Sequence, residues 1–275
     1  MSNMISAERR GKLAQILISE GSIKITEFAD IFHVSTETIR KDIEYLEQKG
    51  IAQKSHGGAI AKNQTLERPL TARMLKNADA KSKIAQAAME FIQPNAVIIL
   101  DSGSTTLNIA KILTLRDDIT VVTNSISIMQ LLSYTDINLY SLGGKTRPNS
   151  DALAGPWTKE ALNSIKADLV FLGTNGFHQR TGPCSSSFFE ADIKKAMIQN
   201  SRKAILVSDS SKFYSDAIFQ YCNWSDIDCL VTDSQAPKED LQQLENQVKI
   251  KIVETDNMSI SACRQKAKNA SEIKE

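Results

Sequence analysis

Val34-Ser35-Thr36-Glu37-Thr38-Ile39-Arg40-Lys41-Asp42-Ile43-Glu44-Tyr45-Leu46 is the stretch from which the rest of this chain is read. A serine oxygen can accept a backbone N–H from the first helical turn, so Ser35 is placed as an N-cap. The helix it opens is expected to run to about Lys49. Ile39, Ile43 and Leu46 fall at i, i+4 and i+7 and make one buried stripe. The opposite face carries Thr36, Glu37, Arg40, Lys41 and Glu44. A helix that presents Arg and Lys from its first turns suits a DNA major groove, because these side chains donate to guanine O6 and N7 or to phosphate. A single Arg or Lys on a helix face is ordinarily just solvated. The ordered surroundings give this one its meaning.

Upstream, Ile5 to Ser19 reads as a helix with Leu13, Ile16 and Leu17 at helical spacing and Gly21 as its stop. Thr26 is expected to cap a second helix in which Phe28, Ala29 and Phe32 face inward. The small Ala29 permits a close crossing of the third helix. His33 occupies the tight turn, where histidine tolerates the left-handed conformation better than bulkier residues do. Val34 then plugs the core. Downstream of Gly50, residues Ile51 to Ile60 read as a hairpin whose Gly57-Gly58 permits a tight turn. Lys54 and His56 on that hairpin are placed to meet the DNA backbone or minor groove. Asp42 would repel phosphate, so it is expected to pair with a nearby basic side chain. The whole is a winged helix-turn-helix over residues 1–60, with Ser35, Thr36, Glu37, Thr38, Arg40, Lys41, Lys54 and His56 as its DNA-facing set.

Residues 61–81 are polar, contain Pro69, and read as a linker running into a helix. Beyond them, short apolar runs alternate with helical spacers: Val97–Leu100, Thr120–Thr123, Leu139–Leu142, Leu169–Leu172, Ala204–Val207, Cys229–Thr232 and Ile250–Val253. They show almost no polar alternation, which suits strands covered on both faces. The fold class expected is α/β: a winged helix-turn-helix joined to a doubly wound, mostly parallel Rossmann-like sheet over 82–256, then a polar tail over 257–275.

The bulk numbers fit two cores and exclude little else. The chain has 275 residues, 41% of them hydrophobic, and a net charge of +1 from 33 basic and 32 acidic side chains. A small DNA-reading module need not shift the total, since only its local field meets phosphate. The longest apolar stretches are too short for a bilayer, and no charged-then-apolar leader opens the chain. Cys184, Cys222, Cys229 and Cys263 are scattered and form no C-x-x-C pair, so reduced thiols are expected rather than a metal site or disulfides. A cytoplasmic protein without membrane partner, metal, cofactor or catalytic residue is the reading.

In the second module, Val97–Leu100 leads into Asp101-Ser102-Gly103-Ser104-Thr105-Thr106 and then a helix with Leu107, Ala110 and Leu113. Such a small-residue turn either caps an ordinary helix or gathers N–H groups and hydroxyls around an anion. Three more loops lie at expected carboxyl ends of strands, where open α/β sheets bind ligands. They are Thr123-Asn124-Ser125, Gly143-Gly144-Lys145-Thr146-Arg147 and Asp209-Ser210-Ser211-Lys212. Arg147 and Lys212 bring positive charge to that edge, and Gly173-Thr174-Asn175-Gly176-Phe177 shares it. Glu190 has two readings: a helix-surface ion pair with Lys194 at i+4, or a holder of sugar hydroxyls. His178 has no recognisable partner and is left as structure.

The run Val34 to Ile43, followed by Leu46-Glu47 and His56-Gly57-Gly58-Ala59, resembles the N-terminal module of the DeoR/GlpR family of transcriptional regulators. The second module resembles that family's effector domain, which is similar in fold to ribose-5-phosphate isomerases. The resemblance runs from about Ser6 to Val253. It implies that Ser102, Gly103, Ser104, Thr105 and Thr106, with Lys212, cradle the phosphate of a sugar or polyol. Arg147, Asn175 and Glu190 would line the rest of a pocket to which Asp101, Asn124 and Gly144 also belong. The family pattern carries Asp where this chain has Asn175; an amide does not ionise and is no general base.

A repressor of a carbohydrate or sugar-alcohol operon is thus expected, bound to double-stranded operator DNA, answering to a phosphorylated sugar or polyol, and homo-oligomeric. The competing readings are a sugar-phosphate isomerase with an accessory DNA-binding domain, and an activator. Leu131, Leu132 and the stretch Phe213 to Trp224 could serve a subunit interface or the core.

Overall fold

The computed structural model describes residues 5–20, 22–61 and 69–255. The stop expected at Gly21, residues 62–68 of the expected linker, the tail over 257–275 and Cys263 lie outside the described residues.

The first module contains α1 (Ser6–Glu20), β1 (Ser22–Lys24), α2 (Ile25–Phe32), α3 (Thr36–Gln48), β2 (Ala52–Ser55) and β3 (Gly58–Ala61). Leu13, Leu17, Phe28, Ala29, Ile39, Ile43 and Leu46 are buried together, with Ile16, Phe32 and Val34 packed against them. His33 ends α2 in the left-handed conformation (φ 52°, ψ 46°), as its place in the turn requires. The cap on α2 is not Thr26. A short strand, β1, runs straight into the helix, which starts at Ile25 with Lys24 before it and no side-chain cap. The Ile25 N–H donates instead to the Gly57 carbonyl of the hairpin at 2.9 Å, so a helix-end donor is satisfied by backbone. β1 also pairs antiparallel with β3, making the wing three-stranded, in the order β1-β3-β2. Gly58 is what allows this approach, since a Cβ there would lie 2.0 Å from the Ile23 carbonyl oxygen.

The second module begins earlier than residue 82. Helices α4 (Leu70–Leu75) and α5 (Ala78–Ala88) precede β4 (Val97–Leu100), so the boundary expected at 82 falls inside α5. Leu70, Ile84, Ala85 and Ala88 are core residues of this module. Of these, Leu70 falls in the stretch expected to be linker, where its polar neighbours hid it; Ile84, Ala85 and Ala88 lie within the expected second module. The chain continues through α6 (Ser104–Leu113), β5 (Thr120–Thr123), α7 (Ile126–Leu132), β6 (Asn138–Ser141), β7 (Lys145–Arg147), β8 (Ala152–Ala154), α8 (Pro156–Asn163) and β9 (Ala167–Leu172). It closes with β10 (Cys184–Ser185), α9 (Phe188–Gln199), β11 (Ser201–Val207), β12 (Phe219–Gln220), β13 (Cys229–Asp233), α10 (Lys238–Leu244) and β14 (Lys249–Val253).

All seven expected runs enter one parallel sheet, in the order β14-β13-β11-β9-β4-β5-β6. Alternate residues of its strands feed two cores. Ile98, Leu100, Val121, Phe171, Ile205 and Val231 meet α5, α6 and α7 on one face. Ile99, Val122, Val170, Leu172, Leu206 and Leu230 meet α8, α9 and α10 on the other. Burial on both faces is why the runs lacked alternation. The edge strand β6 sits one residue earlier than Leu139–Leu142, with Tyr140 exposed and Leu142 buried just past its end. Leu132, Phe213 and Trp224 are core residues; Phe177 packs on both aromatics, with ring centroids 4.8 and 5.0 Å apart. Tyr214 and Ile218, in the same stretch, are exposed. No helix among the described residues is long and apolar enough to cross a membrane.

Candidate DNA-reading face and sensor site

Ser35 accepts the Thr38 N–H at 3.1 Å, and its hydroxyl lies 2.9 Å from the Thr38 hydroxyl. Both side chains are therefore engaged in the cap that starts α3. Thr36, Glu37, Arg40 and Lys41 stand exposed on the outer face of the helix, over the stripe Ile39, Ile43 and Leu46 that anchors it. Arg40 is 3.3 Å from Glu37, an exposed pair that a phosphate or base edge can replace at little cost. Lys41 makes no ion pair with any described residue. His56 is exposed at the hairpin turn.

Lys54 is not free to reach outward. Its ammonium lies 2.9 Å from Glu44 and 3.6 Å from Glu47, and its backbone N–H donates to Glu47 at 3.0 Å. The hydrogen bond that its ammonium donates to Glu44 is the main reason its pKa stands above the usual lysine value. Asp42 is buried and accepts from Arg9 Nε at 2.6 Å and Arg10 Nε at 2.7 Å. The Arg10 guanidinium also lies 4.4 Å over the Tyr45 ring. The basic partners expected for Asp42 are thus two α1 arginines, which tie α1 to the exposed-face helix.

The second site lies where β4 and β9 are neighbours. From β4 the chain proceeds through β5 and β6 on one side; β9, β11, β13 and β14 lie on the other. This is the switch point at which open α/β sheets form a crevice. At it, Gly173 N–H donates to Asp101 Oδ2 at 3.0 Å. Lys194 pairs with the same carboxylate and donates to the Gly173 carbonyl at 3.1 Å, and the Tyr221 hydroxyl donates to that carbonyl at 2.9 Å. Burial pushes the Asp101 carboxyl up, against the pull of Lys194.

This overturns one of the two readings of Glu190, the helix-surface ion pair with Lys194. Both residues lie on the buried side of α9 and are 4% exposed, so each meets the sheet edge rather than solvent. Lys194 goes to Asp101. Glu190 goes to Arg147, 3.2 Å away, and to the Ser185 hydroxyl at 3.1 Å. Burial is the strongest single influence on Glu190 and raises its pKa. Lys194, Arg147, the Ser150 hydroxyl and Arg73 together outweigh it and hold the carboxyl below its ordinary value. Its Oε1 sits beside Arg147 without a well-directed hydrogen bond.

The Ser102–Thr106 turn is divided in its duties. Thr106 Oγ1 donates to the Asp101 carbonyl at 2.6 Å, which locks the turn onto β4. The hydroxyls of Ser102, Ser104 and Thr105 have no hydrogen-bond partner among the described residues, and all three side chains are buried around the start of α6. Gly103, extended at φ 178°, stands as that helix's N-cap. Asn124 donates to the Leu153 carbonyl at 2.9 Å, pinning the β7–β8 hairpin, and its buried Oδ1 has no partner. Gly144 is fixed by packing: at φ +144°, a Cβ would lie 2.1 Å from the Thr158 hydroxyl. Arg147 at the end of β7 reaches both Glu190 and the Ser187 hydroxyl. Asn175 Oδ1 accepts the Ser186 N–H at 3.1 Å and the Ser185 hydroxyl at 3.3 Å, so it holds the loop before α9.

Lys212 follows Asp209, which takes 2.6 Å and 2.7 Å hydrogen bonds from Ser211 Oγ and Asn77 Nδ2. Burial raises the Asp209 carboxyl most, but Lys212, Ser211, Asn77 and Lys81 together keep it below its usual value. Lys81, on α5, is a residue the sequence did not offer. Its ammonium caps the carbonyls of Arg73 and Lys76, and burial chiefly lowers its pKa to about 8 against the pull of Asp209. His178 bonds the Phe213 carbonyl at 3.0 Å and serves the fold. No cluster of three or more His, Cys, Asp or Glu side chains among the described residues could hold a metal.

Residues 9–65 match the family described as DeoR-like helix-turn-helix domain, and residues 76–234 match DeoR C terminal sensor domain. The chain is 31% identical over 243 residues to a putative aga operon transcriptional repressor of Escherichia coli O157:H7, covering 87% of this chain and 90% of that one. It is 34% identical over 251 residues to the uncharacterised regulator YulB of Bacillus subtilis, covering 90% and 96%. Among solved structures, ribose 5-phosphate isomerase A of Methanocaldococcus jannaschii aligns at 19% identity and TM-score 0.38, over 50% of this chain and 55% of that one. The named relatives over nearly the full length are regulators, which sets the isomerase reading aside. The chain belongs to the DeoR family of helix-turn-helix transcriptional regulators.

Proposed function

We propose that this regulator represses a carbohydrate or polyol catabolic operon and releases it when a phosphorylated intermediate occupies the sheet edge of the sensor domain. The observation that carries the reading is the start of α6. Three hydroxyl residues, Ser102, Ser104 and Thr105, each 7% exposed, surround a helix N-terminus at the switch point, and their hydroxyls make no hydrogen bond to another described residue. A helix N-terminus favours an anion, and Lys212, on the loop after β11 beside Asp209 and Lys81, is assigned as the cation that joins it. Arg147, Glu190 and Asn124 supply donors and acceptors for sugar hydroxyls, and Gly103, Thr106, Asp101, Gly144 and Asn175 shape the walls that hold them. The name of the Escherichia coli relative, an aga operon repressor, agrees with an operon-level role.

On the DNA side, Arg40 and Lys41 read the major groove and His56 meets the backbone, with Ser35 and Thr38 fixing the helix that presents Thr36 and Glu37. One such module reads only a few base pairs, so the working form is a homo-oligomer in the cytoplasm bound to repeated half-sites. The ligand acts by binding the two states of that assembly unequally, with α4 and α5 carrying the change toward the DNA module. Thermal-shift screening of the full chain with phosphorylated sugars and polyols tests the sensor reading. One compound is expected to raise Tm and weaken operator binding, and Lys212→Ala to lose that response while keeping operator affinity. No shift with any compound, or the same shift with inorganic phosphate alone, counts against it.

A further inference from the structure

Lys54 is the sole Lys or Arg between residues 51 and 61, the hairpin flanking the reading helix. It is the cation that the β2–β3 arm itself can offer to phosphate, Lys24 of β1 being the other Lys or Arg in the described wing strands. Yet its ammonium is held by Glu44 and Glu47, both on the second half of α3, and its backbone N–H is tied to Glu47. Glu44 stands on the same exposed side of α3 as Arg40 and Lys41. We infer that Glu44 withholds Lys54 from the DNA backbone and thereby sets the ratio of operator to random-sequence affinity.

The inference rests on DNA binding through α3 and adds a specificity-determining residue to it. An exposed ion pair by itself is weak, and phosphate could compete for Lys54. Release, however, leaves the carboxylates of Glu44 and Glu47 bare beside the duplex, where they repel the phosphates that Lys54 would gain. The two effects oppose each other on every sequence alike. Contacts from Arg40 and Lys41 to base edges are favourable only on the right sequence. Cancelling the wing's sequence-blind attraction therefore lowers random-site affinity without touching base readout. A glutamine at 44 keeps the size and one acceptor of glutamate but removes the charge.

The test compares the full chain and Glu44→Gln on a random-sequence duplex and on the chain's own promoter fragment across a salt series. Glu44→Gln is expected to bind the random duplex about threefold to tenfold tighter at low salt, with the log–log salt slope steeper by about one. The operator-to-random ratio is expected to fall. Adding Lys54→Gln is expected to remove the gain and restore the slope, since Lys54 is the group released. Unchanged affinity and slope in Glu44→Gln overturn the inference, and so does a gain that survives in the double variant. Failure of the unaltered chain to prefer its promoter would instead strike the DNA-reading assignment.

Discussion

The two modules put their charges in opposite places. On the proposed DNA-reading face, Arg40, Glu37, Lys54 and Glu44 are all about half exposed or more and paired in direct contact at the surface. At the sensor edge, Asp101, Lys194 and Glu190 are nearly sealed from solvent. On the proposed function, the difference follows from what each surface would meet. A duplex is a large polymer that supplies its own charge, so the face that would read it stays open and its Arg40–Glu37 pair stays exchangeable. A small ligand has to be enclosed, so the groups around it are desolvated before it arrives and need internal partners to remain folded. Asp42 marks the boundary: it lies on the reading helix, yet it is buried and held by Arg9 and Arg10.

Substitutions therefore sort by module. The largest effect belongs to Lys194→Met, which leaves the Asp101 carboxylate buried without its cation. It is expected to destabilise the sensor domain by about 3–5 kcal/mol in urea unfolding. A loss under 1 kcal/mol would mean that the pair contributes no more than an exposed one. Arg40→Ala comes next, weakening operator binding by about 1–3 kcal/mol and relaxing base preference, with Tm unchanged. A matching fall in Tm would erase the distinction between the two regions. The smallest effect is one of pH. Lys81, lowered to about 8 by burial, is charged below that value and neutral above it. A phosphorylated ligand near Lys81 and Lys212 is then expected to lose affinity severalfold as pH rises from 7.5 to 9, measured by titration calorimetry. A flat profile would place its phosphate away from Lys81.

The open module was the more legible. The Ser35 cap, the stripe Ile39-Ile43-Leu46 and the left-handed His33 are local patterns, and local patterns are written in local sequence. The seven apolar runs were legible for a related reason, since strands covered on both faces need no alternation to be recognised. What stayed hidden depends on tertiary placement. The spacing of Glu190 and Lys194 says they share a helix face, but not that this face meets the sheet edge and splits them between Arg147 and Asp101. Lys81 was concealed in polar sequence that reads as linker, because α4 and α5 are too short to show a strong period. Thr26 was a sound cap by type, displaced because β1 enters α2 directly and the Gly57 carbonyl takes the first N–H. Strands of three residues, such as β1, β7 and β8, are shorter than any period can reveal.

The most direct measurement is binding of the purified full chain to a fragment from its own promoter region, beside a random duplex of equal length, at low ionic strength. A DeoR-family reader of this build is expected to retard the promoter fragment with an affinity at least ~10³ above the random one. Equal binding to both, or none to either, would contradict the assignment of α3 as a sequence-reading helix.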